Sequence, residues 1–400
     1  MTTTLRSHLT RTPQPTKSLS LAVVSSYAPT LCGLASFTAN MLSAITRDPG
    51  YAPTILRVAD ELTPSPSDSS PDAPALVQFD PLDPLCTARA IKLANESDIT
   101  IIQHEYGIFP GPDGDSILSF CRSVRSPQIL IIHTVLSDPS SHQRAVLEEL
   151  MTLAGVIVVP SNAAKTQLLA THPLDPDTIT VISHGATPNH SALLEYSPAH
   201  PPTVLTWGLI GPGKGLATAI RALALVRELP LAHYVIAGAT HPKVLAHTGE
   251  SYRDSLIGLA DELGVSSRVH FINSYLSLTD TLDLARNSDL VLLPYDSLTQ
   301  VSSGVLVEAL AASRPVVATR FAHATELLAS GAGILVDPKD PVAMSRAITR
   351  ALYDLPTRAL MAERSRTAAT ALYWPNVAAA FRALIDQLVS RNSPRELPGK

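Results

Sequence analysis

Glu308 is the only charge in the segment 303–312, Ser-Gly-Val-Leu-Val-Glu-Ala-Leu-Ala-Ala. The segment predicts a helix with apolar residues on every side, so the helix should be packed all round. A carboxylate in such surroundings needs donors, from the protein or from a ligand. Ser302, Ser303 and Gly304 open the helix, and free N–H groups at the positive end of its dipole favour an anion such as a phosphate. The pattern can therefore hold a phosphate at the helix start and sugar hydroxyls on Glu308. An ion pair between Glu308 and a neighbouring arginine is the other reading, and the local pattern leaves both open.

A second anion-type feature is the loop Trp207-Gly-Leu-Ile-Gly-Pro-Gly-Lys-Gly215. Glycines such as Gly213 let the backbone approach a diphosphate, and Lys214 supplies a compact positive charge. Gly238 opens a similar loop after the next strand. In the first half, His104 and Glu105 follow the apolar run Ile101-Ile-Gln, and neither belongs in a core without a reason. Gly107, Gly111 and Gly114, with Asp113 and Asp115, suit a pliable wall of an acceptor pocket. A metal on His104 and Glu105 would lack two further ligands. His133 ends the run Ile129-Leu-Ile-Ile; a histidine so placed can be structural or can face a ligand. The first turn, from Ser25 to Thr38, lacks Gly-x-Gly-x-x-Gly, which argues against a nicotinamide cofactor. On the residues alone, Gly33 in that turn reads as a turn glycine.

These residues need elements to place them. Short β-branched runs alternate with helical segments, which predicts an α/β protein with parallel sheets covered by helices. The expected strands are 19–25, 53–58, 99–103, 128–133, 156–160 and 179–183, then 203–207, 233–237, 268–272, 290–293, 315–319 and 333–336. The polar residues of interest follow strand after strand, at the carboxyl ends where open parallel sheets bind ligands. A chain of 400 residues predicts two domains: a polar tail over 1–19, a first domain over 20–195, a proline-rich linker over 196–202, a second domain over 203–372 and a closing segment over 373–400. The stretch 63–74 reads as a surface loop by composition.

Thirty Lys and Arg against 35 Asp and Glu, with 16% charged residues, give no basic field for nucleic acid. Cys32, Cys86 and Cys121 are scattered without metal spacing and fit a reducing cytoplasm. No apolar run approaches the roughly 20 residues that cross a bilayer, which leaves room for peripheral membrane contact only. The cytoplasm is the expected compartment.

The segment 297–319 resembles the donor-site signature of retaining glycosyltransferases of family 4 (glycosyl transferases group 1), which have the GT-B fold. That signature places two acidic residues eight apart, then Ala-hydrophobic-Ala and a Pro-Val-Val-Ala-Thr strand. Glu308 matches the second acid, which the resemblance implies contacts the nucleotide ribose. Gln300 stands at the first, where a glutamate contacts the donor hexose. Lys214 matches the lysine of the family's Gly-Arg…Lys-Gly loop, while Leu209 stands at its arginine; Arg320 is a candidate substitute. Gly33 matches a glycine near the donor phosphate, and His133 a strand-end histidine facing the donor sugar. Val181-Ile-Ser-His184-Gly resembles the approach to the interdomain turn, so His184 is expected at the hinge. Tyr373-Trp-Pro-Asn-Val377 resembles the start of the last helix, which crosses back onto the first domain. The resemblance runs from about residue 20 to 390 and is more specific in the second half.

It implies two Rossmann-like domains facing across a cleft. It also implies metal-independent transfer of a hexose from a UDP- or GDP-linked sugar to a carbohydrate, lipid-linked or small-molecule acceptor. Such transfer proceeds on the donor's front face with the leaving phosphate taking the acceptor proton, so His133, His104 and Glu105 are expected to position groups and stabilise charge. Two other readings fit the architecture. One is a sugar-nucleotide epimerase; the other is a non-catalytic partner protein, to which Gln300 and Leu209 would point. A phosphorylase would need a pyridoxal-phosphate lysine, for which the chain shows no context.

Overall fold

The computed structural model describes residues 18–58, 74–189, 200–228 and 230–392. The expected tail, apart from its last two residues, and the expected loop 63–74, apart from Pro74, lie outside them. So do 196–199 of the expected linker and 393–400.

The first domain runs β1 (Leu19–Ser25), α1 (Gly33–Ile45), β2 (Tyr51–Val58), β3 (Ala75–Phe79), α2 (Pro84–Glu96), β4 (Ile99–His104), α3 (Ile117–Ser123), β5 (Gln128–Ile132), α4 (Ser141–Leu153), β6 (Val156–Val159), α5 (Asn162–Thr171) and β7 (Ile179–Val181). The strands form one parallel sheet in the order β3-β2-β1-β4-β5-β6-β7. The second domain runs β8 (Thr203–Trp207), α6 (Leu216–Leu225), β9 (His233–Ala237), α7 (Pro242–Thr248), α8 (Ser251–Glu262), β10 (Val269–Ile272), α9 (Leu278–Asn287), β11 (Leu290–Leu293), α10 (Gly304–Ala311), β12 (Val316–Thr319), α11 (Ala322–Leu327), β13 (Gly333–Val336), α12 (Pro341–Tyr353) and α13 (Leu355–Ala369). Its sheet is ordered β10-β9-β8-β11-β12-β13. In both sheets the order reverses beside the first strand, and that reversal opens a crevice at the carboxyl ends.

Three expectations are corrected. Ala75–Phe79 is an edge strand missed beside the proline-rich stretch, where the turn signals dominate so short a run. The last strand of the first sheet ends at Val181, short of the expected residue 183. The helix before β12 begins at Gly304, because Ser303 is its cap: it has extended dihedrals, and its hydroxyl accepts from Leu306 N–H.

A final helix, α14 (Trp374–Asn392), leaves the second domain and covers the first sheet. Its Trp374, Val377, Phe381 and Ile385 pack with Leu21, Val23, Met41 and Ile129. The crossing is tight at its start. Trp374 N–H donates to Ala186 O at 2.9 Å, and a Cβ on Gly185 would stand 2.2 Å from the Trp374 indole. Gly185→Ala should therefore destabilise the fold by about 1–3 kcal/mol through overpacking, measured by denaturant unfolding. Unchanged stability would mean that the indole does not bear on that peptide.

Candidate active site

The second-domain half of the site is assembled from loops that close on one another. Gly208, Gly213 and Gly215 all have positive φ (110°, 88° and 65°). Gly215 caps α6 from a left-handed conformation, and a Cβ there would lie 1.7 Å from Pro294 O. Gly213 O accepts from Asp296 N–H at 3.0 Å. A Cβ on Gly238 would meet Gly208 O at 2.0 Å. The sequence thus uses glycine where two turns nearly touch. The contacts bring Gly213, Lys214 and Gly238 against the turn that leads into Gln300, Ser302 and Ser303. The Lys214 ammonium lies 4.5 Å from the Tyr295 ring centre.

At the start of α10, two of the first-turn donors are occupied. Ser303 N–H donates to His323 Nδ1 at 2.9 Å, and Leu306 N–H donates to the Ser303 hydroxyl. Among the described residues, the N–H groups of Gly304 and Val305 meet no acceptor and remain the open donors of that turn. Gln300 turns its amide onto Ser302 O at 2.9 Å. Glu308 is 9% exposed, and burial raises its pKa to about 7. Among the described residues it accepts from Thr187 N–H alone, shared between both oxygens at 3.4 Å. Arg286 lies within electrostatic reach but pairs with Asp283 at 3.8 Å. Among the described residues no cation forms a salt bridge with Glu308, which removes the ion-pair reading.

Arg320 has a different partner from the diphosphate suggested for it. Its Nε lies 3.2 Å from Asp337 Oδ1, with both side chains more than half exposed.

The first-domain half is a set of neutral imidazoles. Thr38 donates to Leu34 O, so its oxygen accepts from Gln103 Nε2 at 2.9 Å and from Ser25 at 2.8 Å. Gln103 Oε1 then faces His133 Nε2 at 2.8 Å, which puts the ring proton on Nε2 and leaves Nδ1 as an acceptor. Burial, with His184 and His104 adding, lowers the His133 pKa to about 3. Burial lowers His104 to about 4, and its Nδ1 has no partner. Glu105 accepts from the Thr134 hydroxyl at 2.6 Å and from Tyr106 N–H at 3.1 Å; burial still raises its pKa. Gly33 is the first residue of α1, with open space where a Cβ would be. Asp113 and Asp115 are turned to His142, and Asp113 also accepts from Gln143.

His184 joins the two halves. Its ring packs 5.0 Å from Phe37, its Nδ1 donates to Gly185 O, and its Nε2 would lie 2.9 Å from a Cβ on Gly304. A glycine at position 304 therefore admits the imidazole as well as opening the helix.

Four residues at the site were missed in the sequence. Gln103 was visible as an amide in the run Ile-Ile-Gln-His. Lys243 was visible as a base in the first turn of a short helix, where the dipole disfavours it. His323 and Glu326 gave no local signal.

The buried histidines set a pH dependence. His104 and His323 are each 1% exposed, with pKa values of about 4. The unfolded chain takes up their protons below the ordinary value near 6.5 while the folded chain does not. Their contribution is therefore present above about pH 6.5 and lost as pH falls towards 4. Glu308 has the opposite sign, its raised pKa weakening the fold as pH rises from about 4.5 to 7. Burial lowers His133 and His184 as well, to about 3 and about 4, and raises Glu105 alongside Glu308, so four imidazoles stand against two carboxylates and thermal stability should fall between pH 6.5 and 4.5. A flat or rising midpoint would refute the neutral buried state of these rings.

The sequence pattern of the family described as Glycosyl transferases group 1 matches residues 195–368. The chain is 28% identical over 272 residues to a D-inositol 3-phosphate glycosyltransferase of Corynebacterium glutamicum (strain R), covering 64% of this chain and 63% of that protein. It is 32% identical over 213 residues to a protein of the same name from Mycobacterium sp. (strain JLS), covering 51% and 46%. The chain thus spans less than two thirds of the length of these curated relatives. Among solved structures it resembles a glycosyltransferase from Rickettsia africae ESF-5, with a TM-score of 0.74 and 17% identity over 94% of this chain and 100% of that one. It also resembles Anabaena Alr3699/HepE in complex with UDP, with a TM-score of 0.70 and 17% identity over 92% of this chain and 100% of that one. The fold is GT-B, two Rossmann-like domains facing across a cleft.

Proposed function

From a GT-B chain that belongs to the glycosyl transferases group 1 family through residues 195–368, we propose retaining transfer of a hexose from a nucleotide-diphosphate sugar. The observation that supports it most is Glu308, a buried carboxylate at the cleft with one shared N–H and no cation. Two ribose hydroxyls would supply the donors it lacks. The diphosphate would lie against the Gly-rich loop, with Lys214 and the open N–H groups of Gly304 and Val305 as its donors. Gln300 and the fixed acceptor Nδ1 of His133 would then take sugar hydroxyls. In this reading the acceptor enters beside the His104–Glu105 loop of the first domain. Its hydroxyl attacks the anomeric carbon as the sugar–phosphate bond breaks, and its proton passes to the leaving phosphate oxygen. The neutral imidazoles hold and orient substrate without adding charge. Relatives solved with UDP and UDP-glucose make uridine donors the first to test.

UDP or GDP at a hundredfold excess over its Kd should add roughly 2.7 kcal/mol of stability, read as a raised Tm. No response to UDP, GDP or ADP at millimolar concentration would favour the non-catalytic reading. Hydroxyls donate best to an ionised carboxylate, so nucleotide affinity should rise between pH 6 and 8 as Glu308 loses its proton. Glu308→Gln should flatten that rise and weaken binding; an unchanged profile would exclude the carboxylate from the site.

Full turnover in excess EDTA is the expected outcome, because lysine and backbone N–H groups are assigned to the leaving diphosphate. Strict dependence on a divalent ion, abolished at Asp113 and Asp115, would overturn that assignment.

A further inference from the structure

We propose that Lys243 supplies the second cation for the donor diphosphate, taking the place of the missing arginine at Leu209. The inference rests on the donor-site reading above and adds to it a residue outside the motif. Lys243 lies in the first turn of α7, whose start is fastened to the Gly-rich loop. His241 N–H donates to Ile210 O at 2.8 Å, and Ile210 and Thr240 form a parallel bridge. A Cβ on Gly211 would lie 3.3 Å from Val244. Lys243 is therefore carried by the wall that carries Lys214, and His241 feels the charge of both lysines.

From that wall the side chain crosses the cleft. A Cβ on Gly107, in the loop after β4 of the other domain, would stand 2.9 Å from the Lys243 ammonium. The lysine tip thus lies against the backbone of the facing domain. Glu105 is within electrostatic reach, yet among the described residues no carboxylate forms a salt bridge or hydrogen bond with Lys243 or Lys214. Arg253, Arg320 and Arg358, by contrast, are paired with Glu250, Asp337 and Asp289. Two ammonium groups that form no salt bridge among the described residues, carried on adjoining loops and both acting on His241, fit an anion carrying more than one charge. The leaving diphosphate is such an anion, and a lysine can meet it as a point charge where an arginine would bind through two parallel contacts.

A structural lysine would do no more than offset the desolvation of Glu105, and the two roles separate on ligand charge. The test titrates wild type, Lys243→Ala and Lys243→Arg with the nucleoside monophosphate and diphosphate of the base that wild type prefers, by calorimetry. Lys243→Ala should weaken the diphosphate by about tenfold, the effect of one charge-assisted contact. The monophosphate should change less than twofold, and Lys243→Arg should recover most of the loss. Far-ultraviolet circular dichroism confirms that each variant folds. Equal affinities for the diphosphate in wild type and Lys243→Ala overturn the proposal. So does a loss that appears only in the acceptor KM, which would assign the lysine to an acceptor anion. Failure of wild type itself to bind any diphosphate would instead sink the donor-site reading, and this inference with it.

Discussion

A carboxylate held out of water with too few donors is the constraint on which the rest of this site depends. Glu308 cannot move away, because α10 is packed all round by Leu306, Val307, Leu310 and their neighbours. Nor is it answered by an arginine. Arg286, within electrostatic reach, pairs with Asp283 instead, and the N–H from Thr187 is long. Desolvation, only partly offset by Thr187 N–H and Arg286, raises its pKa. A ligand that brings hydroxyls would therefore change the energetics of α10 as well as fill space.

The Thr187 contact is one of several by which the two domains meet. The Ser161 hydroxyl, which caps α5, donates to Val301 O at 2.7 Å. The N–H groups of Asn162 and Ala163 at the start of α5 donate to the Glu326 carboxylate on α11. A negative side chain from one domain thus meets the positive end of a helix in the other. Ser36 and Tyr275 approach across the opening at 3.4 Å. These contacts ring the loops that hold Lys214, His133 and Gln300, so the distance between the two halves is set by hydrogen bonds around the site.

The two halves differ in charge. The first domain offers imidazoles kept neutral by burial, with protons placed by partners: Gln103 for His133 and Gly185 O for His184. The second offers the cations and the helix start. A diphosphate sugar presents its charge at one end and neutral hydroxyls at the other, and such a division suits it.

Much of this was legible in the sequence because it is local. Alternating β-branched and helical segments determined two parallel-sheet units, and strands such as 19–25, 203–207 and 290–293 fall where the pattern put them. The glycines before Lys214 and a helix opening near Ser303 were readable because turn geometry and helix ends depend on residues a few positions apart. The strand Ala75–Phe79 was not, since its apolar run is no longer than a loop segment and only pairing with β2 makes it a strand. Which arginines are free and which are paired was also beyond the sequence. Arg320 looked available until the adjacent strand β13 brought Asp337 beside it, and only the fold places Gly107 of the facing domain against Lys243. Charge pairing and burial depend on residues far apart in the chain, and only the packed domains bring those together.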